Sequence, residues 1–307
     1  MTKAEAKEYI NSYISHILQM VEYGNWFYSK IKSITDTCID DLNNMLKKQK
    51  TASTKRVCSL LMAEIENRLS ECENKISDLI TLEAQKIAES ENEWLGENVA
   101  DVLGIKLDYA KSDATRMLII PVATAGVIGE YGITVSQRLQ NIYKSEIMNS
   151  YVTGSDFEDL EKDYEPRLNT FERNLEIEAE SLGETMPNQY DRLVYARNKT
   201  KIKGYIWNSI LDTSTCAVCG SLSGERFDDV SKAPLYPHLR CRCFLMPYSD
   251  GVEDLIPETY SEWFEEQSDS DKRHILGKKR FELYENGMKI KQFVNNGVKT
   301  PLKDLKK

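Results

Sequence analysis

A long stretch without glycine or proline limits what this chain of 307 residues can fold into. Residues 55–93 contain neither residue, and their apolar side chains recur at steps of mostly three and four from Val57 to Ile87. That spacing places the apolar side chains on one face of an α-helix. At 1.5 Å per residue, such a helix would be roughly 55–60 Å long. The sequence therefore predicts a long helix whose apolar stripe packs either within this chain or against a partner.

Helical periodicity covers most of the first 190 residues, and it gives way to a strand pattern near residue 205. Apolar stripes run from Ile10 to Val21 and from Phe27 to Met45, with an interruption predicted at Gly24 and Asn25. Further helices are predicted as follows: 136–150 with Ser136 as its N-cap, one within 155–184, 260–267 and about 271–286. Large β-forming side chains alternate over 205–211, which predicts a buried strand.

The chain has enough apolar residues for a core, and its net charge is −9. That charge argues against a surface designed as a whole to grip DNA. Lys and Arg are concentrated in residues 272–307, however, and Asp and Glu in residues 155–191. No signal peptide is recognisable, and the longest apolar run, 117–129, is shorter than the roughly 20 residues that cross a bilayer. We therefore expect no membrane partner and a reducing cytoplasm during synthesis.

Four of the seven cysteines are clustered near the C-terminal end, together with a histidine. Cys216-x2-Cys219 is followed, after eighteen residues, by His238-x2-Cys241-x-Cys243. Thiolate and imidazole are the ligands that zinc prefers in tetrahedral sites, and paired cysteines at this spacing are typical of them. A redox or disulfide-bonded Cys216–Cys219 pair is the alternative interpretation. It is the weaker one, because no surrounding βαβ pattern accompanies the pair.

Five side chains compete for four zinc positions, and we expect Cys216, Cys219, His238 and Cys241 to be the ligands. Cys243 is then spare, although Cys241 and Cys243 would point the same way from a strand. Gly220 follows the first pair, where a positive φ often closes a turn.

The remaining cysteines and histidines have simpler interpretations. Cys38, Cys58 and Cys72 are expected to be free thiols that act as small apolar residues. His16 and His274 are expected at or near the surface.

We expect the zinc to be structural and the chain not to be an enzyme. Four or five strong ligands leave no open coordination position for water, and the sequence has no HExxH or deaminase signature. A zinc-dependent hydrolase or nuclease is an alternative that would need a nearby carboxylate. Asp212, Asp228 and Asp229 are the available ones, and they can equally cap turns.

At these residues the sequence resembles the phage Mu protein-F-like minor head proteins, also called phage head morphogenesis proteins. The similarity covers roughly residues 130–285, from a start resembling Gly132–Ser136, and it departs from the family at 196–200, where relatives often have an Arg-Thr-Glu-like element. The residues that carry it are Trp207, Asp212, Thr215, Cys216, Cys219, Gly224, Phe227, Pro234, Pro237, His238, Cys241, Arg242, Cys243 and Pro247, followed by Tyr260–Trp263 and Ile275–Arg280.

The resemblance implies a low-copy structural assembly factor of a phage head. Its expected partners are the portal protein and the major capsid or scaffolding protein. Its expected location is the virion, inside the head near the portal, after assembly in the host cytoplasm. A zinc protein that contacts packaged or entering phage DNA through its basic C-terminal region is the alternative. DNA contact would be favoured if Lys278, Lys279, Arg280, Lys289 and Lys291 formed one surface with Arg240 and Arg242.

Together the sequence patterns and the resemblance predict a mainly α fold with a small α+β zinc-binding module, in which long N-terminal helices precede a compact C-terminal domain. Four consecutive regions are expected: 1–110 with long helices, 111–204 as the helical first part of the head-morphogenesis domain, 205–250 as the zinc-stapled β module, and 251–307 as basic C-terminal helices and tail. We expect the N-terminal helices, especially 55–93, to supply much of the contact with other proteins.

Overall fold

The chain is mainly helical, with a few short strands. The computed structural model describes residues 2–122, 126–235, 238–249, 259–295 and 298–305. Pro237, which belongs to the family resemblance, lies outside these residues. The α-helices are α1 Lys3–Gln49, α2 Lys55–Leu95, α3 Asp101–Leu103, α4 Ser112–Met117, α5 Tyr131–Thr153, α6 Phe157–Arg197, α7 Ala217–Leu222, α8 Tyr260–Glu266, α9 Asp269–Leu276 and α10 Lys278–Glu285.

The strands form small antiparallel sheets. A central sheet has the order β4-β3-β5, and two two-stranded pairs, β1-β2 and β6-β7, accompany it. The strands are β1 Pro121–Val122, β2 Gly126–Val127, β3 Gly204–Asn208, β4 Arg226–Phe227, β5 Phe244–Tyr248, β6 Val294–Asn295 and β7 Val298–Lys299. Among the described residues, no helix combines the length and the apolar character needed to cross a bilayer.

Two compact units make up the chain, and each is assembled from separated segments. The mixed unit contains residues 1–21, 87–113 and 184–307, and the helical unit contains residues 22–86 and 114–183. This division differs from the four consecutive regions expected from the sequence, which remain a prediction.

Helix α1 continues through Gly24 and Asn25, so the interruption predicted there is wrong. In the helical unit, Gly24 contacts Gly183 of α6. A Cβ added at Gly183 would lie 2.8 Å from the Gly24 Cα and 3.0 Å from the Phe27 Cβ. Glycine therefore serves here to let two helix backbones approach closely rather than to end a helix.

Helix α2 confirms the long helix predicted from the glycine-free and proline-free stretch. Most of its apolar stripe is buried within this chain, including Leu61, Ile65, Leu69, Ile76 and Ile80. The intramolecular alternative for this stripe is therefore correct. A buried stripe offers no large apolar surface to a partner. The stripe therefore gives no support to the expectation that this helix supplies much of the contact with other proteins.

Two helices are longer than the sequence patterns predicted. Helix α5 begins at Tyr131, so Ser136 is a buried interior residue rather than the N-cap. Helix α6 extends through Pro187 to Arg197. Arg138 of α5 donates a 2.6 Å hydrogen bond to Glu178 of α6, which ties the two helices at a largely buried carboxylate.

In the mixed unit, the N-terminal turns of α1 cover the central sheet. The Tyr13 ring stacks on Phe244 of β5 at 5.1 Å, and its hydroxyl lies 2.8 Å from that of Tyr195. The Tyr9 hydroxyl donates to the carbonyl of Pro247. The sheet that carries the cysteine segment is therefore packed against the beginning of the chain.

The predicted strand over 205–211 is present as β3, which is shorter than predicted and fully buried. Its partners are β4 and β5, with Tyr205 opposite Phe227 and Trp207 opposite Leu245. The chain turns into β4 at Gly224, which has a φ of 82°, as the Ser223-Gly224 pair predicted. We call the segment from β3 to β5, residues 204–248, the cysteine module.

Helices α8, α9 and α10 follow the cysteine module and confirm the helical pattern predicted there. The break between α9 and α10 falls at Gly277, which has a φ of 72°. Their apolar faces and the 3-10 helix Ile290–Phe293 form a small cluster of buried residues, which comprises Tyr260, Phe264, Leu276, Phe281, Ile290 and Phe293.

Candidate metal centre

Cys216 and Cys219 are placed by a turn and a short helix. Asp212 accepts hydrogen bonds from the backbone N–H groups of Ser214 (2.9 Å) and Thr215 (3.0 Å), which fixes the turn before Cys216. Cys216 is the N-cap of α7, and its sulfur accepts from the Cys219 N–H at 3.5 Å. One helical turn therefore directs both sulfurs toward the same point.

His238 approaches the two sulfurs from the loop before β5. Its Nε2 lies 3.2 Å from the Cys216 Sγ and 3.1 Å from the Cys219 Sγ. Its Nδ1 lies 2.7 Å from the Leu239 carbonyl oxygen. A carbonyl can only accept, so Nδ1 carries the proton of the neutral ring, and Nε2 is then free to bind a metal.

Cys241 and Cys243 lie on the buried side of the same site. Cys219 Sγ is 3.7 Å from Cys241 Sγ, and Cys243 Sγ is 3.4 Å from the Ser209 hydroxyl. Ser209 follows β3 and also donates to the carbonyl of Cys219 at 2.7 Å. The start of β5 lies beside the end of β3, and this pairing brings Cys243 to the first cysteine pair.

The five predicted side chains converge as two overlapping triplets. Within each, the ligand atoms lie within 4.8 Å of one another: Cys216, Cys219 and His238 form one, and Cys219, Cys241 and Cys243 form the other. Cys219 belongs to both. The buried triplet of three thiols can hold a metal ion.

The donor set and the spacing fit a tetrahedral ion of zinc's size. Zinc–sulfur bonds of about 2.3 Å in a tetrahedron place two sulfurs about 3.7–3.8 Å apart. The Cys219–Cys241 separation of 3.7 Å agrees with this. In the same tetrahedron a ligand nitrogen and a ligand sulfur would lie roughly 3.6 Å apart. The distances from the His238 Nε2 to the Cys216 and Cys219 sulfurs are a few tenths of an ångström shorter.

Electrostatics favour a thiolate at Cys216. Hydrogen bonds from Cys219 and His238 lower the pKa of Cys216 to about 4 against the opposing effect of burial. The hydrogen bond to Cys216 raises the pKa of His238 to about 9. Thiolate is the form of cysteine that binds metals, whereas binding by His238 would release its proton.

Arg242 points away from the metal centre and forms an ion pair with Asp212. Its guanidinium makes two hydrogen bonds, of 2.7 and 2.8 Å, to the two carboxylate oxygens of Asp212. Because Arg242 lies between two inward-facing cysteines, this ion pair joins the loop before β5 to the turn before α7. Hydrogen bonds from Arg242 and two backbone N–H groups, against the effect of burial, lower the pKa of Asp212.

The other two carboxylates considered in the sequence, Asp228 and Asp229, act in an ion pair and in a turn. Asp229 caps the short 3-10 helix Val230–Lys232 by accepting from the Ser231 N–H. Asp228 pairs with Lys232 at the surface.

Two details of the predicted site are wrong. Gly220 does not have a positive φ, and it lies inside α7. A Cβ there would lie 2.3 Å from the Tyr260 ring, so the position requires glycine because of packing. Cys241 and Cys243 precede β5 rather than lying in a strand. Both are nevertheless buried on the same side, since Arg242 between them faces Asp212.

A buried polar cluster in the mixed unit was missed by the sequence interpretation. His16 is only 7% exposed, so its expected surface position is wrong. Its Nε2 lies 2.8 Å from Glu91, and its ring stacks on Trp94 at 3.9 Å. The spacing of Tyr9, Tyr13 and His16 could have placed this histidine on the buried face, although its partners are about 75 residues away. His274, by contrast, is exposed as expected.

Comparisons with protein-family models, with curated proteins and with solved structures gave no match to this chain.

Proposed function

We propose that this chain is a bacteriophage minor head protein, a structural assembly factor that acts with the portal and capsid proteins. The observation that carries the proposal is the convergence of Cys216, Cys219, His238, Cys241 and Cys243, the residues at the centre of the motif that resembles this family. Tyr260, a second motif position, supports it, because its hydroxyl donates to the Thr215 carbonyl at 3.0 Å and its ring covers Gly220.

The proposed metal is one structural Zn²⁺, held by Cys216, Cys219, His238 and Cys241. Cys243 is the proposed spare thiol, because it has a polar partner of its own in the Ser209 hydroxyl. When bound, the ion would join the start of α7 to the loop before β5. The mixed unit is irregular around these ligands, and metal binding adds directly to folding free energy in such modules.

A structural role is favoured over catalysis by the surroundings of the proposed site. Asp212 lies in the turn before Cys216, and it is engaged by Arg242 and two backbone N–H groups. A metal-bound water would need a free general base, and Asp212 is poorly suited to that task. We therefore propose no hydrolase or nuclease activity.

DNA contact is retained as a second, weaker proposal. Lys278, Lys279 and Lys289 are exposed in the C-terminal region. Two of the arginines considered with them have local partners, however, since Arg242 pairs with Asp212 and Arg280 donates to the Thr300 carbonyl. If DNA were bound, affinity would fall steeply with salt and with charge removal at these lysines.

The decisive experiment is assembly with and without the portal. Procapsids are purified from cells that produce this chain with its cognate capsid proteins, either with the portal protein or lacking it. The proposal expects a few copies of this chain per procapsid and a large loss when the portal is absent. Equal recovery in both preparations would contradict the portal association, and exclusion from both would contradict the head-protein assignment.

Point variants suit the assembly experiment better than deletion of the N-terminal helices. Tyr9 and Tyr13 of α1 contact β5 directly, so such a deletion would also expose the cysteine module. Exposed apolar residues of α1 and α2, such as Leu18, Leu60 and Leu82, are better targets for a partner-binding test.

A further inference from the structure

Two of the three cysteines outside the metal centre face each other in the helical unit. Cys38 of α1 and Cys72 of α2 are both buried, and both line the same small cavity. Cys58 is equally buried, yet its thiol contacts the Met148 sulfur at 3.9 Å instead of another cysteine. The structure therefore separates one thiol pair from one isolated thiol in the same unit.

A small cavity reaches the thiol pair. It has a volume of about 40 Å³ and is lined by both cysteines, by Asp41 and by the basic side chains of Arg68 and Lys75. A space of this size holds one water molecule or another molecule of a few atoms. Hydrogen peroxide is small and polar enough for a space of this size.

The two thiols differ electrostatically. The neighbouring Cys72 thiol lowers the pKa of Cys38, Lys75 and Arg68 lower it further, and burial and Asp41 oppose this effect. The Cys38 thiol and burial raise the pKa of Cys72. The basic side chains of Arg68 and Lys75 in the cavity favour a thiolate there, and we assign Cys38 as the nucleophile and Cys72 as its partner.

We propose that Cys38 and Cys72 are a peroxide-sensitive pair, which hydrogen peroxide converts into a disulfide that joins α1 to α2. The inference does not depend on the proposed function. The Cys38 thiolate attacks one peroxide oxygen, the O–O bond breaks, and the departing hydroxide takes a proton to leave as water. The Cys72 sulfur then attacks the Cys38 sulfenic acid, the S–O bond breaks, and the Cys72 proton leaves with the second water. Two thiols are oxidised, and one peroxide is reduced to two waters.

The disulfide would close a loop around residues 39–71 and restrict the unfolded chain. It would therefore raise the thermal stability of the helical unit, and a reductant would reverse the effect. A shift of several degrees in Tm is the expected size for a loop of this length.

The test uses the intact chain under native conditions. Protein is treated with limiting hydrogen peroxide, its remaining thiols are alkylated, and tryptic peptides are mapped by mass spectrometry. Trypsin places the three cysteines in separate peptides, 33–47, 57–68 and 69–75. We expect a linked 33–47/69–75 peptide while Cys58 remains fully alkylated, and a Tm that rises with the yield of that peptide.

Variants test the roles of the individual side chains. Cys72→Ala should leave a sulfenic acid on Cys38 that a dimedone probe traps. Lys75→Gln, at an exposed position, should slow disulfide formation several-fold, and Lys75→Arg should restore it. The proposal is overturned if no linked peptide forms before Cys58 is oxidised, or if the link forms only in denaturant. It is also overturned if the probe labels Cys58 as strongly as Cys38.

Discussion

The helical unit and the cysteine module are held together in different ways. The helical unit buries apolar side chains along α1, α2, α5 and α6, so no single residue dominates its stability. The cysteine module has strands of five residues or fewer and a compact group of thiols and imidazole at its centre. Distributed burial tolerates single changes at moderate cost, whereas a ligand set fails as a whole when one member is lost. Single substitutions should therefore have larger effects at the ligands than in the helical core.

The largest effect is expected from Cys219→Ser, because Cys219 belongs to both ligand triplets. The substitution should abolish zinc binding and open residues 204–248, since structural zinc contributes on the order of 10 kcal/mol to such modules. Metal analysis and amide hydrogen exchange measure the two effects, and helices α5 and α2 should keep their protection.

Cys58→Ser is the matched control for this prediction. Cys58 is also buried, but it lies in the helical unit away from the cluster. The Cys58→Ser protein should keep about one zinc per chain, and only the packing around residue 58 should be weakened. A Cys219→Ser protein that retains a full equivalent of zinc would show that the proposed site is wrong.

The second prediction separates the two cysteines before β5. Cys241→Ser should lose zinc, whereas Cys243→Ser should retain it with at most a modest loss of affinity, because Cys243 is the proposed spare thiol. Competition with a chelator of known zinc affinity gives the zinc dissociation constants of the two variants, and these can be compared directly. The opposite order would make Cys243 the fourth ligand, and equal losses would mean that both sulfurs hold the metal.

The sequence predicts most of what depends on neighbouring residues. The stripe of α2 follows from residues at steps of three and four, and five candidate ligands follow from short spacings. Those features need no knowledge of distant contacts, because the helix and the cysteine pairs are local arrangements.

The features that were predicted wrongly depend on residues far apart in the chain. Gly24 is compatible with a continuous helix because Gly183 lies against it. His16 is buried because Glu91 and Trp94 surround it. Gly220 is needed because the Tyr260 ring covers it. In each case local propensity was overridden by a tertiary contact that no short window of sequence contains.

The third prediction compares close packing in the two regions through Gly183→Ala and Gly220→Ala. Each change gains up to about 1 kcal/mol of helix propensity, but overpacking costs about 1–3 kcal/mol. The new Cβ meets the backbone of Gly24 at 2.8 Å in one case and the buried Tyr260 ring at 2.3 Å in the other. Both variants should be destabilised, Gly220→Ala more so.

Chemical denaturation followed by hydrogen exchange assigns each loss to its own region. Gly96→Ala is the control, since its added Cβ would come no closer than 3.9 Å to the Tyr109 hydroxyl. It should be neutral or slightly stabilising. If Gly183→Ala were stabilising as well, the close helix approach at Gly24 would not be a packing constraint.

The smallest effects are expected at exposed ion pairs, and here the two regions should behave alike. Lys32–Asp36 in the helical unit and Lys232–Asp228 in the cysteine module are both i,i+4 pairs at similar distances, 2.7 and 2.8 Å. Their side chains are at least 40% exposed, so water and salt screen the attraction, and ordering the two side chains offsets much of it.

Asp36→Asn should cost less than about 0.5 kcal/mol, and Asp228→Asn should leave Tm and zinc content unchanged. Thermal unfolding at low and high salt measures both. A clear loss of zinc in Asp228→Asn alone would mean that this surface pair supports the metal loop, and that the cysteine module depends on more than its ligands.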